Sequence, residues 1–186
     1  MNPTTATYYN NIYSKSKEYE KGNPEQSVYY NLFSDVVNMV PSGASVVELG
    51  CGTGLLAKML IENGFHYVEG IDFSKVAISK AKEINVQQQS LFKIADIYTY
   101  KVKKNTTVIC LETLEHLEND IKVIENLSKC NFIFSVPDFM CESHQRCFVT
   151  QDQILDRYGK YIEIESINKI PVSKKNSVWL IKAKKQ

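Results

Sequence analysis

The stretch VVELGCGTG, residues 46–54, decides the fold of this chain. An apolar run that contains one acid ends in three glycines at alternate positions, and residues 55–62 continue with apolar side chains at helical spacing. Glycine at these positions allows a tight turn and a close approach of the backbone to a bound molecule, because a Cβ atom would occupy the space of the ligand. The stretch therefore predicts a buried strand, a ligand-binding loop and a helix in succession.

Strand and helix patterns alternate along the rest of the chain. Asn23 and Pro24 have the residue types of a helix cap and a first helical position, and apolar residues recur at helical spacing from there to Val40. The predicted strands are 44–49, 67–72, 91–95, 106–111, 131–136, 161–170 and 177–183, and the further predicted helices are 55–62, 75–84, 120–127 and 151–158. Alternating strands and helices imply a parallel sheet with right-handed crossovers. Only residues 171–176 separate the last two strands, which are therefore predicted to be antiparallel neighbours.

Length and composition favour one ordinary globular domain over residues 1–186. Hydrophobic residues make up 44% and charged residues 23% of the chain, and the formal net charge is +1. This balance argues against a protein that binds nucleic acid by neutralising phosphates. The five cysteines include no C-x-x-C pair, and no apolar run approaches the length of a membrane span. We expect a soluble, cytoplasmic protein without a membrane partner.

Residues 1–40 are predicted to form an N-terminal arm followed by a helix. Residues 7–22 contain four tyrosines among polar residues, a composition too polar for a core strand and weakly patterned for a helix. Two interpretations stay open for this arm. It is either a mobile lid over a ligand, with Tyr9 and Tyr13 as candidate substrate-binding residues, or a segment that packs its tyrosines on the domain surface.

The spacing of the glycines distinguishes between classes of nucleotide ligand. In open α/β sheets, ligands bind beyond the carboxyl ends of the strands, which is where residues 50–54 are predicted to lie. A dinucleotide site requires G-x-G-x-x-G, but here the pattern is G-x-G-x-G followed by two leucines. The chain contains no G-x-x-x-x-G-K-[ST] segment, so a P-loop is excluded. A nicotinamide-dependent oxidoreductase is disfavoured on the same ground.

Residues 46–54 resemble motif I of class I S-adenosylmethionine-dependent methyltransferases. Three later segments, GIDFS (70–74), Ala77-Ile78 and LETLEHL (111–117), resemble further motifs of that family, in the family's order. The resemblance implies a Rossmann-like, doubly wound, seven-stranded sheet that is mostly parallel, with its last strand antiparallel and helices on both faces. It also implies S-adenosyl-L-methionine as the methyl donor.

The resemblance assigns several residues to the cofactor. Glu48 would place negative charge near its cationic end, and Asp72 would accept hydrogen bonds from both ribose hydroxyls. Phe73 would stack on the adenine, Asp96 would accept from the adenine amino group, and Ile97 would pack on the ring. The other residues assigned to the cofactor are Gly50, Cys51, Gly52, Gly54 and Leu111. Asp72 as a helix cap and Asp96 as an ordinary loop residue are the alternatives.

Methyl transfer is an in-line displacement, so few acid–base residues are needed, and a base is required only for a hydroxyl or a protonated amine. His116 and His144 are the catalytic candidates, because one follows the fourth strand and the other lies in the loop 137–149, which we expect to face the substrate. Glu112 and Arg146 are candidate substrate-binding residues. The alternatives are that Glu112 and Glu115 only favour a helix start, and that His144 and Arg146 only hold the loop in place.

The predicted function is transfer of a methyl group to an O, N or C atom of a small or medium-sized acceptor. One alternative is a cofactor-binding partner subunit without its own catalysis. Another follows from a resemblance of Glu112, Glu115, His116 and His144 to the metal site of small-RNA terminal 2′-O-methyltransferases, although the surroundings of His144 match that site poorly. We assign no metal ligand from the sequence. The identity of the acceptor and the oligomeric state are open.

Overall fold

Seven strands form one mixed sheet in the part of the chain described by the computed structural model, residues 5–16 and 22–186. They are β1 (Ser45–Leu49), β2 (His66–Asp72), β3 (Phe92–Ile94), β4 (Thr106–Cys110), β5 (Cys130–Pro137), β6 (Glu163–Pro171) and β7 (Ser177–Lys185). Their order is β3-β2-β1-β4-β5-β7-β6. β1 pairs in parallel with β2 and β4, whereas β7 is antiparallel to both β5 and β6. The predicted Rossmann-like sheet with an antiparallel last strand is confirmed.

Helices cover both faces of this sheet. They are α1 (Ala6–Lys15), α2 (Tyr30–Met39), α3 (Leu55–Glu62), α4 (Lys75–Ile84), α5 (Asp120–Asn126) and α6 (Gln151–Tyr158). Short 3₁₀ segments occupy Pro24–Gln26, Val86–Leu91 and Leu114–His116. Among the described residues, none of the helices combines the length and the apolar character that crossing a bilayer requires.

The alternation of side chains along β5 creates a separate core on each face of the sheet. Phe132 and Phe134 pack with α5 and α6, while Ile133 between them packs with α2, α3 and α4. Successive side chains of a strand point to opposite faces, so a strand that is apolar throughout is buried on both sides. Packing of helices on both faces fixes the sheet. The carboxyl ends of its parallel strands then lie at one edge.

The structure divides the helix that the sequence predicts between Pro24 and Val40. Asn23 does cap a first turn by accepting a hydrogen bond from the Glu25 N–H at 3.1 Å, but that turn is a 3₁₀ segment. Ser27 is then extended, and its hydroxyl accepts from the Tyr29 N–H at 3.2 Å. Such a local side-chain bond competes with helical hydrogen bonding, so α2 begins only at Tyr30.

The described part of the N-terminal arm is helical, where the sequence showed only a weak helical pattern. The Thr5 hydroxyl caps α1 by accepting from the Tyr8 N–H at 3.3 Å. Asn10 docks the helix on the start of α4, since its Oδ1 accepts from the Ser74 hydroxyl at 2.8 Å and from the Val76 N–H at 3.3 Å. The last tyrosine of the predicted arm, Tyr19, lies outside the described residues. The first part of the arm is thus fixed against the sheet edge that carries the glycine loop.

Candidate functional site

A cavity of about 630 Å³ lies at the carboxyl ends of β1, β2, β3 and β4, beneath α1. The order of the strands reverses between β1 and β4, which is the place where open α/β sheets bind their ligands. A cavity of this size is typical of small-molecule sites. The cavity is lined by residues that follow each of the four strands, 50–53, 72–73, 95–98 and 111–113.

The glycine loop forms one wall of the cavity. The N–H groups of Gly50 and Cys51 both donate to the Ile71 carbonyl, at 2.8 and 2.9 Å, which ties the loop to the end of β2. Gly50 has a φ of +76°, and a Cβ atom there would overlap with the side chain of Thr113. Gly52 has a φ of +52°, and the three atoms nearest to a Cβ there would all belong to Tyr13 of α1, whose hydroxyl would be 3.2 Å away. Glycine at this position therefore keeps a narrow gap between the loop backbone and α1.

Asp72 joins this loop to the start of α4. Its Oδ2 accepts from the Gly52 N–H at 3.1 Å and its Oδ1 from the Ser74 N–H at 2.8 Å. The side chain that caps α4 is Ser74, which accepts from the Ala77 N–H. Burial raises the pKa of Asp72 to about 6, although the backbone hydrogen bonds oppose this shift. Each carboxylate oxygen can accept further bonds, so Asp72 can serve a ligand in addition to its two backbone donors.

Glu48 is the second buried acid of the cavity wall. It is 5% exposed, and its Oε2 accepts from the Tyr67 hydroxyl at 2.7 Å. Burial raises the pKa of Glu48 to about 8, and Asp72 adds to the rise by repulsion, while the bond from Tyr67 opposes it. A cationic ligand in the cavity would favour the ionised form of this group.

The raised pKa of Glu48 makes the stability of the ligand-free protein depend on pH. A carboxyl with a folded pKa of about 8 and an ordinary value of 4.5 holds a proton in the folded state that the unfolded state has lost, so stability falls as pH rises through that interval. Burial raises the pKa of Glu112 to about 7, so this carboxyl also makes the stability fall as pH rises. His116 acts in the opposite sense, but only between about 4 and 6.5, because burial lowers its pKa to about 4.

We therefore expect the free energy of unfolding to fall by about 2–3 kcal/mol between pH 6.5 and pH 8, at roughly 1.4 kcal/mol per pH unit for each proton. Urea denaturation at the two pH values measures this difference. The Glu48→Gln variant, which cannot ionise, should show a smaller difference. A wild-type protein as stable at pH 8 as at pH 6.5 would contradict the assignment.

The residues predicted to contact adenine line the far side of the cavity. Phe73 is 39% exposed, and its ring packs against Tyr9 of α1 with the centroids 5.4 Å apart. Asp96 and Ile97 follow β3 and line the cavity as well. The Asp96 Oδ1 accepts from the Tyr98 N–H at 2.8 Å, which fixes the turn that presents it. These residues therefore place two apolar side chains and one acid on the wall of the cavity.

Two predicted site residues do not line the cavity, Gly54 and Arg146. Gly54 caps α3 in a left-handed conformation, and a Cβ there would come within 3.1 Å of the Phe92 ring, so this glycine serves packing. The Arg146 guanidinium donates to the carbonyls of Leu114 and Leu117, both at 2.7 Å, and to that of Glu118 at 3.1 Å. The structure thus places Arg146 as a clamp on the segment after β4 and not at an acceptor.

Glu112 enters the cavity from a strained backbone position. Its φ of +45° is in the left-handed region, where residues other than glycine are uncommon. Ser135 of β5 holds it there, because the Ser135 hydroxyl accepts from the Glu112 N–H at 2.9 Å and donates to the Glu112 Oε1 at 2.8 Å. The conformation turns the carboxyl into the cavity, and its pKa of about 7 suits a base at neutral pH.

The two candidate catalytic histidines lie side by side, with ring centroids 5.0 Å apart. Their Nδ1 atoms bond to backbone carbonyls, His116 to Ser143 at 2.9 Å and His144 to Phe139 at 3.0 Å. A carbonyl only accepts, so Nδ1 carries the proton and Nε2 of the neutral ring keeps its lone pair. Burial lowers the pKa of both rings, which are therefore neutral at pH 7.

All the other predicted site residues line the same cavity. They are Tyr9, Tyr13, Glu48, Gly50, Cys51, Gly52, Asp72, Phe73, Asp96, Ile97, Leu111, Glu112, His116 and His144. Sequence reasoning missed Tyr29 and Phe33, which also line it. Their spacing of four residues puts both rings on one side of the start of α2, with centroids 6.3 Å apart. That spacing is the signal in the sequence, but it does not reveal that α2 faces the site.

The chain matches the family model described as a methyltransferase domain over residues 27–164. Among curated proteins it is 32% identical over 107 residues to the mitochondrial ubiquinone biosynthesis O-methyltransferase of Dictyostelium discoideum, which covers 50% of this chain and 33% of that protein. It is 32% identical over 114 residues to the Rickettsia conorii protein of the same description, covering 57% and 36%. The chain spans about a third of the length of these relatives.

Solved structures of methyltransferases share the fold at low sequence identity. Magnesium protoporphyrin IX methyltransferase from Synechocystis PCC 6803, with bound S-adenosylmethionine, superposes with a TM-score of 0.71 at 17% identity over 97% of both chains. The N-methyltransferase NodS from Bradyrhizobium japonicum, with bound S-adenosyl-L-homocysteine, gives 0.73 at 13% identity over 97% of this chain and 98% of that one. The sheet order, the position of the glycine loop and the match over residues 27–164 agree: the chain belongs to the methyltransferase domain family.

Proposed function

We propose that this chain transfers a methyl group from S-adenosyl-L-methionine to a small or medium-sized acceptor. The charge of the cavity carries this proposal. Its wall contains the buried acids Glu48 and Asp72 and the half-buried acid Glu112, and among the described residues that line it there is no lysine or arginine. Such a wall suits a ligand with an ammonium and a sulfonium and no phosphate, whereas a dinucleotide would place a pyrophosphate there without a cationic partner.

The positions of the residues suit the parts of this cofactor. Asp72 has acceptor capacity left for the two ribose hydroxyls, and the acid Asp96 with the apolar side chains of Phe73 and Ile97 suits the adenine. Glu48 and the backbone of the glycine loop lie where the amino-acid end would follow. When bound, the cofactor supplies a methyl carbon on a positively charged sulfur, which is the electrophile of the reaction.

The contribution of the protein is to position the acceptor, exclude water and remove a proton. The acceptor atom forms its bond to the methyl carbon while the carbon–sulfur bond breaks and leaves its electron pair on sulfur. Tyr8, Tyr9 and Tyr13 of α1 cover the cavity and limit access of water. A proton that leaves a hydroxyl or ammonium acceptor can pass to Glu112, whose pKa is about 7, or to the Nε2 lone pair of His116.

Three observations support a small acceptor. Relatives of this chain are described as enzymes of ubiquinone biosynthesis and of magnesium protoporphyrin methylation. The cavity is partly closed by α1 and by the loop 137–149, which leaves space for a small molecule. The net charge of +1 does not favour a partner that is bound mainly through its phosphates. We also propose a cytoplasmic location, because all five cysteines are free and three of them are buried.

An activity assay tests this function directly. The purified chain is incubated with methyl-labelled S-adenosylmethionine and fractionated small-molecule extracts, and S-adenosylhomocysteine and labelled products are measured. We expect one or more fractions to raise both above the blank without acceptor. Binding of the cofactor without turnover in any fraction would instead favour a non-catalytic partner subunit.

A further inference from the structure

The described wall of the cavity can carry more negative charge than the cofactor neutralises. The acids that line it are Glu48, Asp72, Asp96, Glu112 and Glu118. S-adenosylmethionine has an ammonium, a sulfonium and a carboxylate, so it carries a single excess positive charge. Among the described lining residues there is no lysine or arginine, and the two lining histidines are neutral at pH 7 because burial lowers the pKa of both. We therefore expect an acceptor that is neutral or cationic and has no carboxylate or phosphate group.

Glu112 places an acid in the part of the cavity that the cofactor residues leave over. In the strand order β3-β2-β1-β4, Glu112 follows β4, whereas Asp96, assigned to the adenine, follows β3 at the other end of the row. The Ser135 hydroxyl donates to the Glu112 Oε1 at 2.8 Å, and the Tyr29 hydroxyl donates to the same carboxyl group. Because carboxylate oxygens accept several hydrogen bonds, Glu112 can also accept one from a donor in the cavity.

Aromatic rings line the space on the same side as Glu112. Tyr29, which bonds to Glu112, and Phe33 lie near the start of α2 with their ring centroids 6.3 Å apart. Phe139, in the loop after β5, packs against the same part of the core as these two rings and also lines the cavity. The face of an aromatic ring attracts a cation within about 6 Å, and its carbon atoms bury apolar groups. The combination of rings and one carboxylate suits an ammonium group on an apolar carrier.

The charge of the attacking atom distinguishes nitrogen from oxygen and carbon. When a hydroxyl or a carbon acid gives its proton to Glu112, the acceptor becomes an anion, and the described wall offers that anion no lysine or arginine. Arg146 does not line the cavity, and its charge acts on Glu115 behind the wall. When an ammonium gives its proton to a carboxylate, two charges disappear and a neutral amine with a free lone pair remains. A cavity of low dielectric constant favours this second transfer, because burial disfavours charged forms.

We propose that the acceptor is a primary or secondary amine, bound as its ammonium ion by Glu112 and the rings of Tyr29 and Phe33 and methylated on nitrogen. This inference rests on the proposed function. The ammonium gives one proton to the Glu112 carboxylate, and the nitrogen lone pair forms the bond to the methyl carbon while the carbon–sulfur bond breaks and leaves its electron pair on sulfur. The products are a methylated ammonium ion and S-adenosylhomocysteine. Glu112 returns its proton to water after they leave.

Chemical blocking of amines tests the acceptor class. Extract fractions that the full chain methylates from labelled S-adenosylmethionine are treated with acetic anhydride, which acetylates amines and hydroxyls. Alkaline hydroxylamine then cleaves the esters and leaves the amides. We expect the treated fractions to lose label incorporation, and the labelled product of untreated fractions to be retained by a cation exchanger at acidic pH. Undiminished incorporation after blocking, or a product that is not retained, would overturn the amine class and leave the proposed function intact.

Glu112→Gln tests the assigned residue, since it removes the charge and the base but keeps the shape of the side chain. Incorporation of label from an active fraction should fall roughly 100-fold or more, because a positioned base contributes at least that factor. Glu125→Gln is the matched control, because Glu125 is exposed on α5 and does not line the cavity. It should methylate like the wild type.

Circular dichroism and S-adenosylhomocysteine binding show whether Glu112→Gln is folded. A folded Glu112→Gln variant as active as Glu125→Gln would overturn the proposal. If Glu112→Gln does not fold, the blocking experiment decides alone. A wild type that binds S-adenosylhomocysteine but methylates no fraction would contradict the proposed function, and the amine inference with it.

Discussion

Replacing Asp72 with alanine is expected to weaken the binding of S-adenosylhomocysteine by about 100-fold or more. The carboxylate is the acceptor proposed for both ribose hydroxyls, and a hydrogen bond to a charged group contributes about 1.5–3 kcal/mol. Two such bonds amount to two or more factors of ten in affinity, at about 1.4 kcal/mol each. The substitution also leaves the Gly52 N–H without its acceptor, which loosens the glycine loop. Isothermal titration calorimetry measures the effect.

Asp152→Ala is the control for the loss of one acid. Asp152 lies in the first turn of α6, is exposed and does not line the cavity. Its variant should bind within about a factor of two of the wild type, because it changes only the distant charge of an exposed group. An Asp72→Ala variant that is folded and binds as tightly as Asp152→Ala would show that the ribose is bound elsewhere.

Replacing Gly52 with alanine is expected to lower the same affinity at least about tenfold while the protein stays folded. The Cβ would enter the space between the glycine loop and α1, where its nearest neighbour is the Tyr13 hydroxyl at 3.2 Å. The loop backbone then cannot approach the ligand as closely. The left-handed φ of +52° adds a backbone cost of about 1–2 kcal/mol to the free energy of folding.

Gly64→Ala is the matched control for Gly52→Ala. It carries the same backbone cost of a left-handed residue, but its Cβ does not fill space beside the proposed ligand. Gly64 has a φ of +79°, and an added Cβ would meet nothing within 4 Å. Both variants should therefore lose a similar amount of stability in urea denaturation, and only Gly52→Ala should lose affinity. If the two variants bind equally well, the space above Gly52 is not part of the cofactor site.

Much of the fold and of the cofactor wall was predictable because its signals are local in the chain. The glycine loop and the strand before it lie within residues 46–54, and Asp72 directly follows a buried run of β2. The helices 55–62, 75–84 and 151–158 have the predicted bounds, since their apolar spacing and their capping residues agree. In a doubly wound sheet, such strand ends meet at one edge whatever the loops between them contain.

The remaining features depend on contacts between residues far apart in the chain. A hydrogen bond between the side chains of Asn10 and Ser74 docks α1 on α4, and no sequence pattern near either residue predicts this bond. Arg146 has the residue type of a ligand for an acid, yet three backbone carbonyls take up its guanidinium. The resemblance already groups Glu115 with His116 and His144, but the complete burial of the Glu115 side chain depends on packing that no local pattern in the sequence displays.

Calorimetric titration of the wild-type chain with S-adenosylhomocysteine, and in parallel with a nicotinamide dinucleotide, tests the central claim most directly. The acidic cavity wall without lysine or arginine among its described lining residues predicts binding of one S-adenosylhomocysteine per chain and no saturable heat from the dinucleotide. No binding of S-adenosylhomocysteine, or preferential binding of the dinucleotide, would contradict the account.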